Sequence, residues 1–297
     1  MAKARRPGTP FLLALGAVML ALGFGAGLLV SQQGCERKPV PQEKTAPRSP
    51  QRVPAYEEPA PKEPVRTTPA KKAEQPAGAL PRIALIIDDL GYAPPELVTR
   101  LCAQPVSFTV AVLPYQEHSK ESATIAHDRG KEVILHLPME GSAGANPGPD
   151  ALRMDQTELE LRALVRKALE DVPYRAGANN HMGSRLTADR ARMRWVLQEF
   201  KSRKLYFIDS RTSKETVAYD VAQELGVPAT QRQVFLDDDK AFAEMEKQWD
   251  RALALARRDG EAVIIGHIYP ETVEALEKLI PRVKGEVQFV KVGTVVR

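Results

Sequence analysis

The sequence predicts an α/β fold: a parallel sheet with helical crossovers. Three observations predict it. From Arg82 onward, short apolar runs of strand length alternate with amphipathic stretches of helix length. The alternation repeats about eight times within about 215 residues, which fits a small, incomplete (β/α) barrel. Every strand but the last is followed by a helix or loop long enough to return the chain for parallel pairing. An open doubly wound sheet is the alternative architecture.

The elements follow in order. RIALII is a buried strand, and PPELVTRLCAQ a helix with proline in its first turn. VSFTVAVL is a strand; SKESATIAHDRG is a helix closed by Gly130. EVILHL is a strand. A loop over 138–154, rich in glycine and proline, leads to the amphipathic helix DQTELELRALVRKALEDV, with Asp155 as its expected cap. YRAGANN reads as a short, irregular strand, and TADRARMRWVLQEFKSRK as a helix capped by Thr187. The strand LYFID, the helix KETVAYDVAQELG, the strand ATQRQVFL and the helix AFAEMEKQWDRALALARRDG come next. EAVIIGH, PETVEALEKLIPRVK and VQFVKV close the pattern as strand, helix and strand.

The first 81 residues have a different character. Residues 11–30 carry no charge across twenty positions, and Lys3, Arg5 and Arg6 precede them. That length spans a bilayer core, and the flanking cations keep the N-terminus cytoplasmic. The expectation is a cytoplasmic N-terminus over 1–10 and an uncleaved transmembrane anchor over 11–31. Cleavage as a signal peptide fits less well, because the apolar stretch is long and SQQGC is a poor site. Residues 36–81 hold eleven of the 24 prolines and show no apolar periodicity, so 32–81 reads as a disordered tether. The folded domain, 82–297, is thus expected in the periplasm, held at the inner membrane.

Composition excludes several classes. A net charge of +4 without a dense basic stripe gives no nucleic-acid footprint. Neither a dinucleotide-binding glycine motif nor a P-loop follows any strand. The two cysteines, Cys35 and Cys102, lie in separate regions and are not expected to pair.

In both architectures chemistry collects at the C-terminal ends of the strands. Those ends carry Asp88 and Asp89; His136 and Glu140; Asn179, Asn180 and His181; Asp209, Ser210 and Arg211; Asp237 and Asp238; and His267 and Tyr269. Three of the five histidines fall there, and His118 and His127 read as ordinary surface residues. A mixed set of imidazoles and carboxylates suits a divalent metal, zinc above all. A cation would also offset the adjacent Asp88 and Asp89 charges. The plainer alternative has the acids capping helices and pairing with Arg185 or Arg211, and the histidines donating to loop carbonyls.

IIDDLG, HLPMEG, NNHMGS, FIDSRT and IGHIYP together resemble the divergent polysaccharide deacetylases, a branch related to the metal-dependent carbohydrate esterases of the NodB-homology type. The resemblance spans about Arg82 to Arg297. It implies a distorted seven- or eight-stranded (β/α) barrel acting on a cell-envelope polysaccharide such as peptidoglycan. It implies that Asp88 is a base, Asp89 a metal ligand, His136 a second ligand and His267 a general acid. Better-known relatives carry a second histidine where this chain has Glu140, and an Arg-Pro-Pro-Tyr motif where it has NNHMGS. The third ligand then falls to His181, with Glu140 as the alternative. On this reading a water activated at the metal attacks an N- or O-acetyl carbonyl. Asn179 or Asn180 stabilises the oxyanion, Asp209 orients His267 or completes the metal shell, and Arg211 and Tyr269 touch sugar hydroxyls. The competing class is a catalytically silent glycan- or partner-binding domain.

Overall fold

The computed structural model describes residues 78–142 and 144–297. The expected anchor at 11–31 and nearly all of the tether at 32–81 lie outside them. No helix among the described residues is long and apolar enough to cross a membrane.

Eight parallel strands form the sheet: β1 (Arg82–Leu90), β2 (Thr109–Val112), β3 (Glu132–Met139), β4 (Arg175–Met182), β5 (Tyr206–Asp209), β6 (Ala229–Gln231), β7 (Val234–Phe235) and β8 (Glu261–His267). A ninth, β9 (Gln288–Val290), pairs with the first half of β1, and β2 pairs with the second half. The helices are α1 (Pro95–Cys102), α2 (Ser119–Asp128), α3 (Glu158–Asp171), α4 (Arg190–Ser202), α5 (Ala218–Leu225), α6 (Phe242–Asp259) and α7 (Pro270–Leu279).

The strand order is β6-β5-β4-β3-β2-β1-β8-β7. It runs as a circle through the chain order, whereas a doubly wound sheet reverses direction at a switch point. The two edges, β6 and β7, are separated in sequence by only Arg232 and Gln233. The sheet therefore curls into a distorted barrel. The expected strand ATQRQVFL is split at those two residues. Its first half pairs with β5 and its second with β8.

Strand alternation builds two cores. Ile83, Leu85 and Ile87 of β1 pack with helix residues such as Val98, Leu101 and Leu276. Ala84 and Ile86 pack with Ala111, Ile134, Ile208, Val263 and Ile265 inside the barrel. Val292 and Val295 join this inner core from the C-terminal segment.

Two caps differ from expectation. Thr157, not Asp155, caps α3, through a reciprocal capping box with Glu160 that starts the helix at Glu158. Asp189, not Thr187, caps α4; Thr187 is buried and donates its hydroxyl to Gly183. The expected irregular strand YRAGANN is a full eight-residue strand, β4.

Candidate metal centre and acid-base rim

The polar residues of the rim continue the inward face of the strands. After Ala84 and Ile86 comes Asp88; after Ile134 comes His136; after Val263 and Ile265 comes His267. Register brings them together: Asp88 lies opposite His267, and His136 opposite Asn179. All four are buried, none more than 2% exposed.

Asp89 would point outward if β1 stayed regular. Instead the register shifts between Ile87 and Leu90, and Asp89 takes a left-handed backbone, φ 65°. Aspartate tolerates this conformation better than most side chains. The turn brings both carboxylates to one imidazole. Nε2 of His136 lies 3.3 Å from Asp89 Oδ1 and 3.8 Å from Asp88 Oδ2.

His181 completes a cluster. Its Nδ1 lies 3.2 Å from Asp89 Oδ1 and 3.1 Å from Nε2 of His136. Around a tetrahedral ion with bonds of about 2.0–2.1 Å, neighbouring ligand atoms sit about 3.3 Å apart. The triangle has those edges. Asp89 Oδ1 is buried and accepts no hydrogen bond among the described residues. An orphaned carboxylate oxygen facing two imidazole nitrogens fits a divalent cation. Among the described residues, these three are the side chains grouped closely enough to hold one.

Electrostatics agree with that geometry. Burial pushes the Asp88 carboxyl up, only partly opposed by His136, His267 and the Asn179 amide. Burial opposes ionisation of Asp89 too, but His181 and His136 outweigh it and hold the group well below the usual carboxylate range. For His136, burial disfavours the cation, yet Asp88 and Asp89 together raise its pKa to about 9. The cluster draws positive charge.

On the neighbouring strand, beside Asp88, Asp237 grips His267. Its Oδ1 is 2.8 Å from Nδ1, and its Oδ2 accepts from the His267 amide at 2.7 Å and from the Thr272 hydroxyl at 2.6 Å. The orienting position expected of Asp209 thus belongs to Asp237. Register explains why. Phe235 pairs with Ile265, so two residues on, Asp237 faces His267. Asp209 follows the inward Ile208 and turns outward, where it accepts from the Arg211 amide at 2.8 Å and the Thr216 hydroxyl at 2.8 Å.

Other expected residues are committed elsewhere. Glu140 lies outside the cluster; it accepts from Arg185 at 2.6 Å and from the Met154 amide at 2.8 Å. The Asn179 amide donates to both oxygens of Asp88, at 2.9 and 3.0 Å, and accepts from Nδ1 of His136 at 2.7 Å. Asn180 accepts from the Ser210 amide and donates to the Met182 carbonyl. Asn179 spends its carboxamide on Asp88 and His136, and Asn180 spends its oxygen and one N–H on Ser210 and Met182. Arg211 is buried and bonds Gln231. Tyr269 stays beside His267, with ring centroids 5.5 Å apart, under the Lys240 ammonium at 3.3 Å. His118 pairs with Glu121, and His127 stacks on Tyr174.

Fold and site define a parallel (β/α) barrel with an Asp-His-His cluster and an Asp-held histidine on its C-terminal rim. The chain belongs to the divergent polysaccharide deacetylase family, whose sequence profile matches residues 85–296. It is 38% identical over 213 residues to the uncharacterized protein YibQ of Escherichia coli K12, a match spanning 72% of this chain and 66% of that protein. An uncharacterized Haemophilus influenzae Rd protein is 31% identical over 216 residues, covering 73% of this chain and 77% of the relative. The crystal structure of an uncharacterized protein from Agrobacterium tumefaciens C58 shares the fold, with a TM-score of 0.70 at 22% identity, over 75% of this chain and 92% of that one.

Proposed function

We propose that this protein is a metal-dependent hydrolase that removes N- or O-acetyl groups from a cell-envelope polysaccharide. The observation that carries the reading is the Asp89–His136–His181 triangle, with edges of 3.1–3.3 Å, on the rim of a divergent polysaccharide deacetylase barrel. Zinc suits two imidazoles and one carboxylate. When bound, such an ion supplies Lewis acidity and a water acidified toward a pKa of about 7. Asp88, buried and raised in pKa, lies beside the cluster as the base. His267, with Nδ1 held by Asp237, passes a proton to the leaving amine or alcohol through Nε2. Backbone register keeps base and acid side by side on neighbouring strands.

One observation favours a glycan-binding domain without catalysis instead. The Asn179 amide is committed to Asp88, and Asn180 is tied to Ser210 and Met182, so the oxyanion donor expected there is weakened. Metal analysis of the full-length protein, paired with acetate release from acetylated glucosamine oligomers and peptidoglycan, separates the two. Stoichiometric zinc with acetate release supports the hydrolase. Glycan binding without acetate release supports the binder, and absence of bound zinc, nickel, cobalt or manganese ends the metal reading.

The same reading has residues 11–30 anchoring the chain in the inner membrane with the domain in the periplasm, supported by twenty uncharged positions after Lys3, Arg5 and Arg6. Digestion of the domain by protease added to spheroplasts checks it; protection of the domain would sink it.

A further inference from the structure

We propose that Asn179 is a positioning residue that selects the tautomer of His136 and orients Asp88 with a single carboxamide. The inference rests on the metal-dependent reading for its functional meaning, but its geometry stands apart from any substrate.

The argument is a proton count. Asn179 is fully buried and is the register partner of His136. Its Nδ2 lies 2.9 and 3.0 Å from the two oxygens of Asp88. An ionised carboxylate only accepts, so the amide nitrogen must face Asp88. The amide oxygen then faces His136, 2.7 Å from Nδ1. Only a protonated Nδ1 can donate there. A neutral imidazole carries one ring proton, so Nε2 keeps its lone pair. Nε2 is the atom that faces Asp89 Oδ1 and His181 Nδ1.

One amide thereby does two things. Its donor end aims the base, and its acceptor end presents the nitrogen a cation needs. An aspartate at 179 would keep the acceptor but lose the donor, and a leucine would lose both. The neighbouring Asn180, tied to Ser210 and Met182, touches neither group.

The test uses the full-length protein and Zn²⁺. Zinc affinity is measured by competition with a chelating dye for wild type, Asn179→Leu and Asn179→Asp. Asn179→Leu is expected to lower affinity about 10–100-fold, the usual cost of losing an outer partner of a ligating histidine. Asn179→Asp is expected to bind zinc like wild type. Its carboxylate beside Asp88 is expected to lower kcat for acetate release with little change in KM. Nitrogen-15 NMR of the zinc-loaded wild type is expected to show His136 protonated at Nδ1 and ligated through Nε2. Equal affinity of wild type and Asn179→Leu would overturn the proposal, as would equal losses in both variants. Ligation of His136 through Nδ1 would overturn it without any variant, which covers a misfolded Asn179→Leu. Affinity and NMR need no acetylated substrate. A wild type that binds zinc and releases no acetate therefore sinks the deacetylase reading and leaves this one standing.

Discussion

The two ends of the barrel differ in whether the chain satisfies every carboxylate oxygen they hold. At the end where the strands begin, Glu261 is bracketed by Arg82 and by Arg297, the latter at 2.6 Å. Glu132 accepts from the Thr109 hydroxyl at 2.7 Å and the Gly293 amide at 3.1 Å. Each acid there is matched by the chain itself. At the end where the strands finish, Asp89 Oδ1 accepts no hydrogen bond among the described residues, and two imidazoles converge on it. Charge at the first end is balanced on folding. At the second it is balanced only by an added cation, whether a proton on His136 or a metal ion. One end satisfies its acids within the chain, and the other leaves a carboxylate oxygen facing two imidazoles.

Changes at each end should separate these roles. The largest effect is expected from Asp89→Asn, which keeps side-chain shape and loses the ligand charge. Zinc affinity should fall by more than the about 100-fold that an outer partner can cost. Glu261→Gln at the other end should leave zinc affinity unchanged; equal losses would erase the distinction between the ends.

Next is Gly177→Ala. A Cβ there would lie 2.3 Å from the Tyr206 ring and 2.7 Å from the Tyr206 carbonyl oxygen. The clash should cost about 3 kcal/mol, the upper range for overpacking. Urea unfolding measures it, and the folded fraction should bind zinc as wild type does.

Asp237→Asn tests the acid arm of the rim. It removes the carboxylate on Nδ1 of His267 and should lower kcat for acetate release about 100-fold, within the span of general-acid effects. Zinc affinity should be unchanged, since His267 lies outside the cluster.

A change in pH should move the rim in two directions. In the metal-free protein His136 titrates near 9, against an ordinary 6.5. Its raised folded pKa stabilises the fold fully below about 6.5, and that contribution is lost as pH rises through about 9. Zinc requires the neutral ring, so affinity should rise about tenfold between pH 7 and 8. Metal-free unfolding and zinc titrations at matched pH check both slopes; parallel slopes would contradict the shared titration.

The smallest effect belongs to neither end. Thr157→Ala removes the capping box of α3 and should cost about 1 kcal/mol of stability, with no change at the rim.

Much of the rim was legible in strand parity. Ile86 faces inward, so Asp88 does too, and Ile265 predicts His267 in the same way. The same rule was available for the two acids that exchanged places. Asp209 sits one residue past the inward Ile208, an outward position, and Asp237 sits two past Phe235. What hid the rule was the break at Arg232 and Gln233, because a strand read as continuous over ATQRQVFL loses its register with β8. Parity also fails at Asp89, where the left-handed turn carries an outward position into the site.

The sequence by itself determined the alternation of strands and helices, the parallel sheet and the set of polar residues at its C-terminal ends. Those follow from local hydrophobic pattern and from the steric rules of single elements. Tertiary structure alone decided which of those residues meet. The Asp89–His136–His181 triangle draws on three strand ends, and its edges depend on a register shift and a positive φ. Asn179 gained its role from lying opposite His136, and Glu140 was drawn away by Arg185 and the Met154 amide. Distances between side chains from separate strands are set by sheet curvature and register, and the sequence specifies those only through the packing of the whole barrel.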